Sequence, residues 1–225
     1  TVIIPIGSLE QHGAHLPITT DSDIVTEIAS RLGKKYGFIV LPTINYGVSY
    51  EHHPLTNINI ADYNLEKILF NIITSLFEMA PGKQTRGKVT SKLSYIILNG
   101  HHGNAEALAN LEAKLQNTPN PKGFPHAPYG KLRVYSYWHF MKHEFDHAGF
   151  VETSLMLAIS DKVKMKKAKK GLITKGLSEK EIQRINKLST ERGGFPKVAK
   201  NGVWGDPTKA TKKDGEKFLA EIVRN

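Results

Sequence analysis

No cysteine occurs in this 225-residue chain, which excludes disulfides and thiolate metal ligands together. Any metal ion must then be held by His, Asp and Glu, a donor set that suits Zn, Mn or Fe without choosing among them. No apolar run approaches the ~18 residues needed to span a bilayer, and no charged-then-apolar segment of the signal-peptide kind opens the chain. The first residues already form a strand-like run, "TVIIPI", so a short preceding piece is expected. The protein is read as soluble and cytoplasmic, with no membrane partner. Zinc-finger spacing and an RNP-like aromatic signature are also missing.

What is there suits a folded globular protein. Hydrophobic residues make up 40% of the chain, enough for a core and too many for disorder. The length fits one large domain or two small ones. With no clear linker and no internal repeat, a single domain over 1–225 is expected. The formal charge is +10, compatible with nucleic acid, an anionic membrane or a phosphorylated substrate. Much of the excess sits in "DKVKMKKAKK" (161–170). That run has no interleaved aromatics for base stacking and reads as solvated surface, so nucleic acid is not expected as a partner.

Apolar periodicity alternates between strand and helix. Strands are expected at 2–6, 38–42, 93–99 and 131–138, and helices at 23–37, 62–80, 104–117 and 149–160, with a polar insertion at 81–92. This alternation predicts an α/β protein whose mostly parallel sheet has helices on both faces. Ligands in such folds bind at the carboxyl ends of the strands. Those ends carry "GSLEQHG", "YGVSYEHH", "NGHHGN" and "YWHFMKHEFDHAG". Every histidine except His126 lies in or just after these segments, so the four are expected to meet at one rim.

The stretch "IGSLEQHGAHLPITTDSD" is unusual for a strand-to-helix connection, which ordinarily needs Gly, Ser and Asn rather than two imidazoles and three carboxylates. Glu10 and His12 are two apart, which in extended backbone puts both on one face. Asp21 arrives where the next helix starts, and either it or Asp23 could simply cap that helix. His101 lies between glycines that permit close backbone approach. The same segment also reads as a plain turn or a phosphate cradle, though it lacks the P-loop lysine. His147 and Glu152, as an isolated pair, read as structural. Taken together, the set predicts a metal-holding hydrolase site. In it Asp21 bridges two ions about 3.5–4 Å apart, a hydroxide between them attacks an amide carbonyl, and a nearby His protonates the departing nitrogen.

"GSLEQHGAHLPITTDSD", "YGVSYEH", "NGHHGN", "HAGFVETSLML" and "NGVWGDPTKAT", in this order, resemble the creatininase family of metal-dependent amidohydrolases from Gly7 to about Gly215. The resemblance implies a three-layer α/β/α sandwich, two divalent metal ions and a homo-oligomer, a hexamer in many members. It implies that Glu10, Asp21 and His101 hold one ion, and that His12 and Asp21 hold the other with a further carboxylate. In creatininase proper that carboxylate sits two residues after the metal His, where this chain has Gly103. Glu152 is expected to replace it and is counted with both the catalytic and the metal residues. His147 takes the acid role beside the leaving group. Trp138, His102, Ser49 and His52 are expected to contact substrate. His102 and His143 stand where creatininase has Tyr and Trp, so the aromatic cage for creatinine is incomplete. "HHPLTNI" also departs from the commoner Phe-Pro-Gly-Thr.

These readings rank a small, nucleotide-like formamide or cyclic amide first as the small-molecule substrate, creatinine second and a short peptide third. The competing class is a non-catalytic metal- or nucleotide-binding protein on the same scaffold.

Overall fold

The computed structural model describes residues 1–79, 93–117 and 132–225. The insertion at 81–92 and His126 lie outside them. In chain order the elements are β1 (Val2–Ile6), β2 (Leu9–Glu10), α1 (Thr20–Tyr36), β3 (Ile39–Val40), β4 (Asn57–Ile58), α2 (Asp62–Met79) and β5 (Tyr95–Asn99). They continue with α3 (Ala105–Asn117), β6 (Leu132–Ser136), α4 (Phe150–Ile159), α5 (Glu179–Ser189), α6 (Phe195–Val198) and α7 (Lys212–Arg224).

Four strands form one parallel sheet in the order β3-β1-β5-β6. Successive side chains of a strand point to opposite faces, and the core divides accordingly. Val2, Ile4, Ile6, Tyr95, Ile97 and Leu132 pack with Leu65, Leu69 and Ile73 of α2 and with Leu108, Leu111 and Leu115 of α3. Ile3 and Leu98 face the other way, onto Ile24 and Ile28 of α1, Val151 and Leu155 of α4, and Phe218 and Leu219 of α7. The architecture is therefore the expected α/β/α sandwich. Pro5 sits inside a central strand without breaking it. Its carbonyl accepts from Ile44 N at 2.9 Å, so its nitrogen points to the same side, where β3 has already ended.

The expected strand at 38–42 shrinks to two residues. It has a sheet partner on one side only, and Ile39 is 56% exposed. The structure adds a small antiparallel pair, β2 with β4, in which Glu10 lies opposite Asn57. It also adds α5, whose N-terminus closes with a capping box: Ser178 Oγ accepts from Glu181 N, while Glu181 reaches back to Ser178 N. That arrangement satisfies two backbone donors the helix leaves open.

Leu108 is fully buried between α3 and the sheet. Leu108→Ala is expected to lower the unfolding free energy by about 2–5 kcal/mol in urea titration while leaving metal content unchanged.

Candidate metal centre

The loops that leave β1, β3, β5 and β6 converge as their position at the strand carboxyl ends requires. β2 holds Glu10 through its ladder with β4, and Glu10 N donates to Ile18 O. His12 follows two residues later on the same side. The first turn of α1 brings Asp21 in from above. Gly100 permits this approach, because a Cβ there would lie 2.7 Å from Asp21 O. Asp21 does not cap α1, which has no side-chain cap at all. Asp23 instead accepts locally from Thr19 Oγ1 at 2.8 Å.

Glu10, His12, Asp21, His101 and Glu152 are all buried and mutually close. His12 Nε2 lies 3.1 Å from Asp21 Oδ1 and 3.4 Å from Glu152 Oε2. His101 Nδ1 lies 3.1 Å from Asp21 Oδ2, and its Nε2 lies 3.2 Å from Glu10 Oε2. Asp21 thus stands between the two imidazoles. His12 Nδ1 donates to Glu10 O at 3.1 Å, which leaves Nε2 to offer its lone pair once it gives up its proton, the usual way a backbone carbonyl orients a metal-binding His. Glu152 is fixed from its own helix. Its Oε2 accepts from Ala148 N at 2.7 Å, and Asp146 accepts from the Val151 and Glu152 amides at the start of α4.

Carboxylates packed this tightly strain their own ionisation. Burial opposes charge on His12, yet the Asp21 and Glu152 carboxylates raise it to about 10. His101 is raised well above its usual value by Glu10 and Asp21, again against burial. Despite burial, the His101 and His52 rings hold Glu10 well below the usual carboxylate range. Burial lifts Glu152 to about 8, against the pull of His12. Burial, with the His12 and His52 rings alongside, keeps His147 well below its usual value. Three carboxylate oxygens of the cluster have no well-aligned hydrogen-bond partner among the described residues: Glu10 Oε1, Asp21 Oδ2 and Glu152 Oε1. Such orphaned buried oxygens are costly, and cations would satisfy all three. His12, Asp21 and Glu152 form one group whose ligand atoms lie within 4.8 Å of one another, and Glu10, Glu51 and His101 form a second. The donor set fits divalent metal.

Above the cluster opens a cleft of about 500 Å³. The whole chain, residues 1–225, matches the family described as creatininase, creatinine amidohydrolase. The chain belongs to the creatininase family. Members of that family are hydrolases of C–N amide bonds, and this chain is one of them. It is 32% identical over 231 residues to the mycofactocin precursor peptide peptidase of Mycolicibacterium smegmatis, covering 99% of this chain and 81% of that protein. It is 25% identical to the creatinine amidohydrolase of Pseudomonas putida, covering 70% of this chain and 64% of that one. A solved structure described as "Creatininase Mn" superposes with a TM-score of 0.71 at 21% identity, over 100% of this chain and 87% of the other; that likeness is one of fold.

The remaining expected site residues fall in different places. The His147 ring packs 4.2 Å from the His12 ring, centroid to centroid, and its Nδ1 lies 3.8 Å from Glu10 Oε1. His52 makes a 2.9 Å contact from Nε2 to the same Glu10 oxygen, so it touches the cluster as well as the cleft. His102 lines the cleft, whereas Trp138 stands one layer back, packed 4.4 Å from Phe145, which does line it. Ser49 is fully buried, with its backbone N bound to Asn59 Oδ1 and its Oγ unpaired, and does not reach the cleft. His143 turns away, against Phe218 and Phe150.

Sequence reasoning missed Glu51, Asp146 and Phe195. Glu51 was legible as the one acidic residue in the "YGVSYEH" loop. Asp146 stands just ahead of a helix start, a capping position. Phe195 covers His52 and His147 at 4.5 and 4.7 Å, and nothing in its "GGFPK" setting marks it.

His12 and His101 are held protonated at neutral pH by the carboxylates facing them, and each must lose that proton to bind a cation. With Glu152, which burial also holds mostly protonated at that pH, adding Zn or Mn to chelator-stripped protein at pH 7 in weak buffer is therefore expected to release about three protons per chain, read with a pH indicator. Affinity for the ions should fall as pH is lowered.

Proposed function

We propose that the protein is a divalent-metal-dependent amidohydrolase that cleaves an amide of a short peptide, with Glu10, His12, Asp21, His101 and Glu152 holding two ions. The observation that carries the substrate class is the cleft lining. Among the described residues it contains Glu51, Glu106 and Asp146 with Tyr50, Phe145, Phe195 and Trp204, and neither Lys nor Arg. A phosphorylated nucleotide would meet like charge there. The +10 excess that favoured a phosphorylated substrate lies elsewhere, much of it in the exposed 161–170 segment. A peptide offers an uncharged amide and an apolar side chain to the aromatic wall, and its amino group would be welcome beside the carboxylates. The 32% identity to a precursor peptide peptidase supports the same choice.

Bound ions would polarise the amide carbonyl and make a water acidic enough to attack near neutral pH. The rest is work for the chain. His147 Nε2 donates to Gln11 O at 3.1 Å, which leaves its Nδ1 lone pair directed at the cluster. Because burial keeps this ring neutral, it enters the reaction as a base. It takes a proton at Nδ1 from the attacking water and then delivers that proton to the departing nitrogen, the acid role expected of it. Phe195 shields the ring from solvent. Gln11 Nε2 donates to His52 Nδ1 at 3.0 Å, so Gln11 orients His52 through its side chain and His147 through its backbone carbonyl. Asp21 would be shared by the two ions, and Glu152 would complete the His12 side.

A panel with metal-reconstituted protein tests the substrate. Short peptides are expected to release a new amino group. A formylaminopyrimidine nucleotide should release formate with a kcat/KM lower by at least about tenfold, roughly one unfavourable charge contact. Preferential formate release would overturn the peptide reading.

His147 also lies within ligand range of Glu10 and His12, so its role needs its own check. His147→Gln is expected to lower kcat by about 10²–10⁴-fold with both ions retained by elemental analysis. Loss of an ion would make it a ligand instead of a proton carrier.

A further inference from the structure

One buried acidic side chain at the cluster lines the cleft but is not among the five residues assigned to the ions above. Glu51 comes from the single 3₁₀ turn Tyr50–His52 in the long loop between β3 and β4. It is only 8% exposed, rare for a glutamate with no lysine or arginine beside it. Its Oε1 lies 3.5 Å from His101 Nε2 and 3.9 Å from His52 Nε2, both beyond strong hydrogen-bond length. The same His101 nitrogen faces Glu10 Oε2 at 3.2 Å, and Glu10 Oε1 is orphaned. Two buried carboxylates therefore point at one imidazole edge, an arrangement that repels unless a cation lies among them.

The backbone opposite is shaped to admit this side chain. A Cβ on Gly103 would sit 2.5 Å from Glu51 Oε1, 2.5 Å from His101 Nε2 and 2.4 Å from Val48 O. Any other residue at 103 would occupy the volume the Glu51 carboxylate uses.

We propose that Glu51 is a further protein ligand of the ion held by Glu10, His101 and the shared Asp21, and that Gly103 is the space that lets it in. The inference rests on the two-ion reading above. Asp21 and Glu152 then serve His12, while Glu10, Glu51 and the shared Asp21 serve His101. His101 Nε2 now contacts Val48 O at 2.7 Å; the cation displaces that contact when it binds. The two acidic ligands come from different loops, so the ion ties the β3–β4 loop to β2. That loop also supplies Tyr50 and His52 to the cleft, and metal occupancy therefore sets the shape of the substrate wall as well as the reactivity beneath it.

Metal content after desalting and resistance of bound Zn to a chelator test this without any assay of turnover. Wild type is expected to hold two ions per chain. Glu51→Gln is expected to hold one tightly, the second needing at least about tenfold more free Zn for half-occupancy. Gly103→Ala, which crowds Glu51, His101 Nε2 and Val48 O together, should weaken the same ion. The Glu51→Gln/Gly103→Ala pair should lose no more than the worse single variant, because both remove one contact. Two ions in Glu51→Gln with wild-type chelator resistance would overturn the assignment, as would additive losses in the pair. If wild type itself holds fewer than two, the two-ion reading fails first and takes this one with it. Should Glu51→Gln misfold by circular dichroism, Glu51→Asp, which keeps the charge but shortens its reach, decides the question by the same measurement.

Discussion

Everything at the strand ends follows from one electrostatic constraint: Glu10, Asp21 and Glu152 are carboxylates withdrawn from water and crowded within reach of the same imidazoles. Isolated buried charges of this kind are tolerated only when paired or bound to metal. The histidines meet part of the demand by taking protons, which is why His12 is raised to about 10. One oxygen on each of the three carboxylates is still unsatisfied. The site therefore has a structural appetite for cations, and the fold around it is arranged to keep the carboxylates where they are. The two-residue β2–β4 pair holds Glu10, and the uncapped first turn of α1 presents Asp21. The Asp146 cap on α4 sets Glu152.

Fold class was readable because the apolar pattern is physically unambiguous. β1 shows no apolar–polar alternation but an unbroken buried run from Val2 to Ile6, as a strand covered on both faces demands. The stripe of Ile24, Val25 and Ile28 marks α1. The four strand ends meet as the topology requires. Elements set by few residues were harder. β3 pairs only two residues with β1 and leaves Ile39 more than half exposed. α5 is mostly charged and exposed and gives little apolar stripe, although its Ser178–Glu181 box was there to be read.

At the site, Glu10, His12, Asp21 and His101 stood out because imidazoles and carboxylates are expensive in a strand-end loop. Glu152 was found from its place in a motif, and its nearness to His12 depends on how α4 packs, which no spacing rule reports. Glu51 escaped because its neighbours His52 and His53 drew the eye to side chains rather than to the void at Gly103. A cavity left by a missing Cβ is invisible until two distant loops are brought together.

The shielding ring of Phe195 has a wider meaning. The groups proposed to hold ions or carry protons lie before residue 153, whereas Phe195, Trp204, Asn186, Ser189 and Thr190 join Tyr50, Glu106 and Phe145 in the cleft from the chain's last third. Part of the selectivity is thus written in a stretch of sequence that carries none of the proposed reactive groups. A lineage could redraw the later stretch, and so change its diet, while inheriting its chemistry untouched.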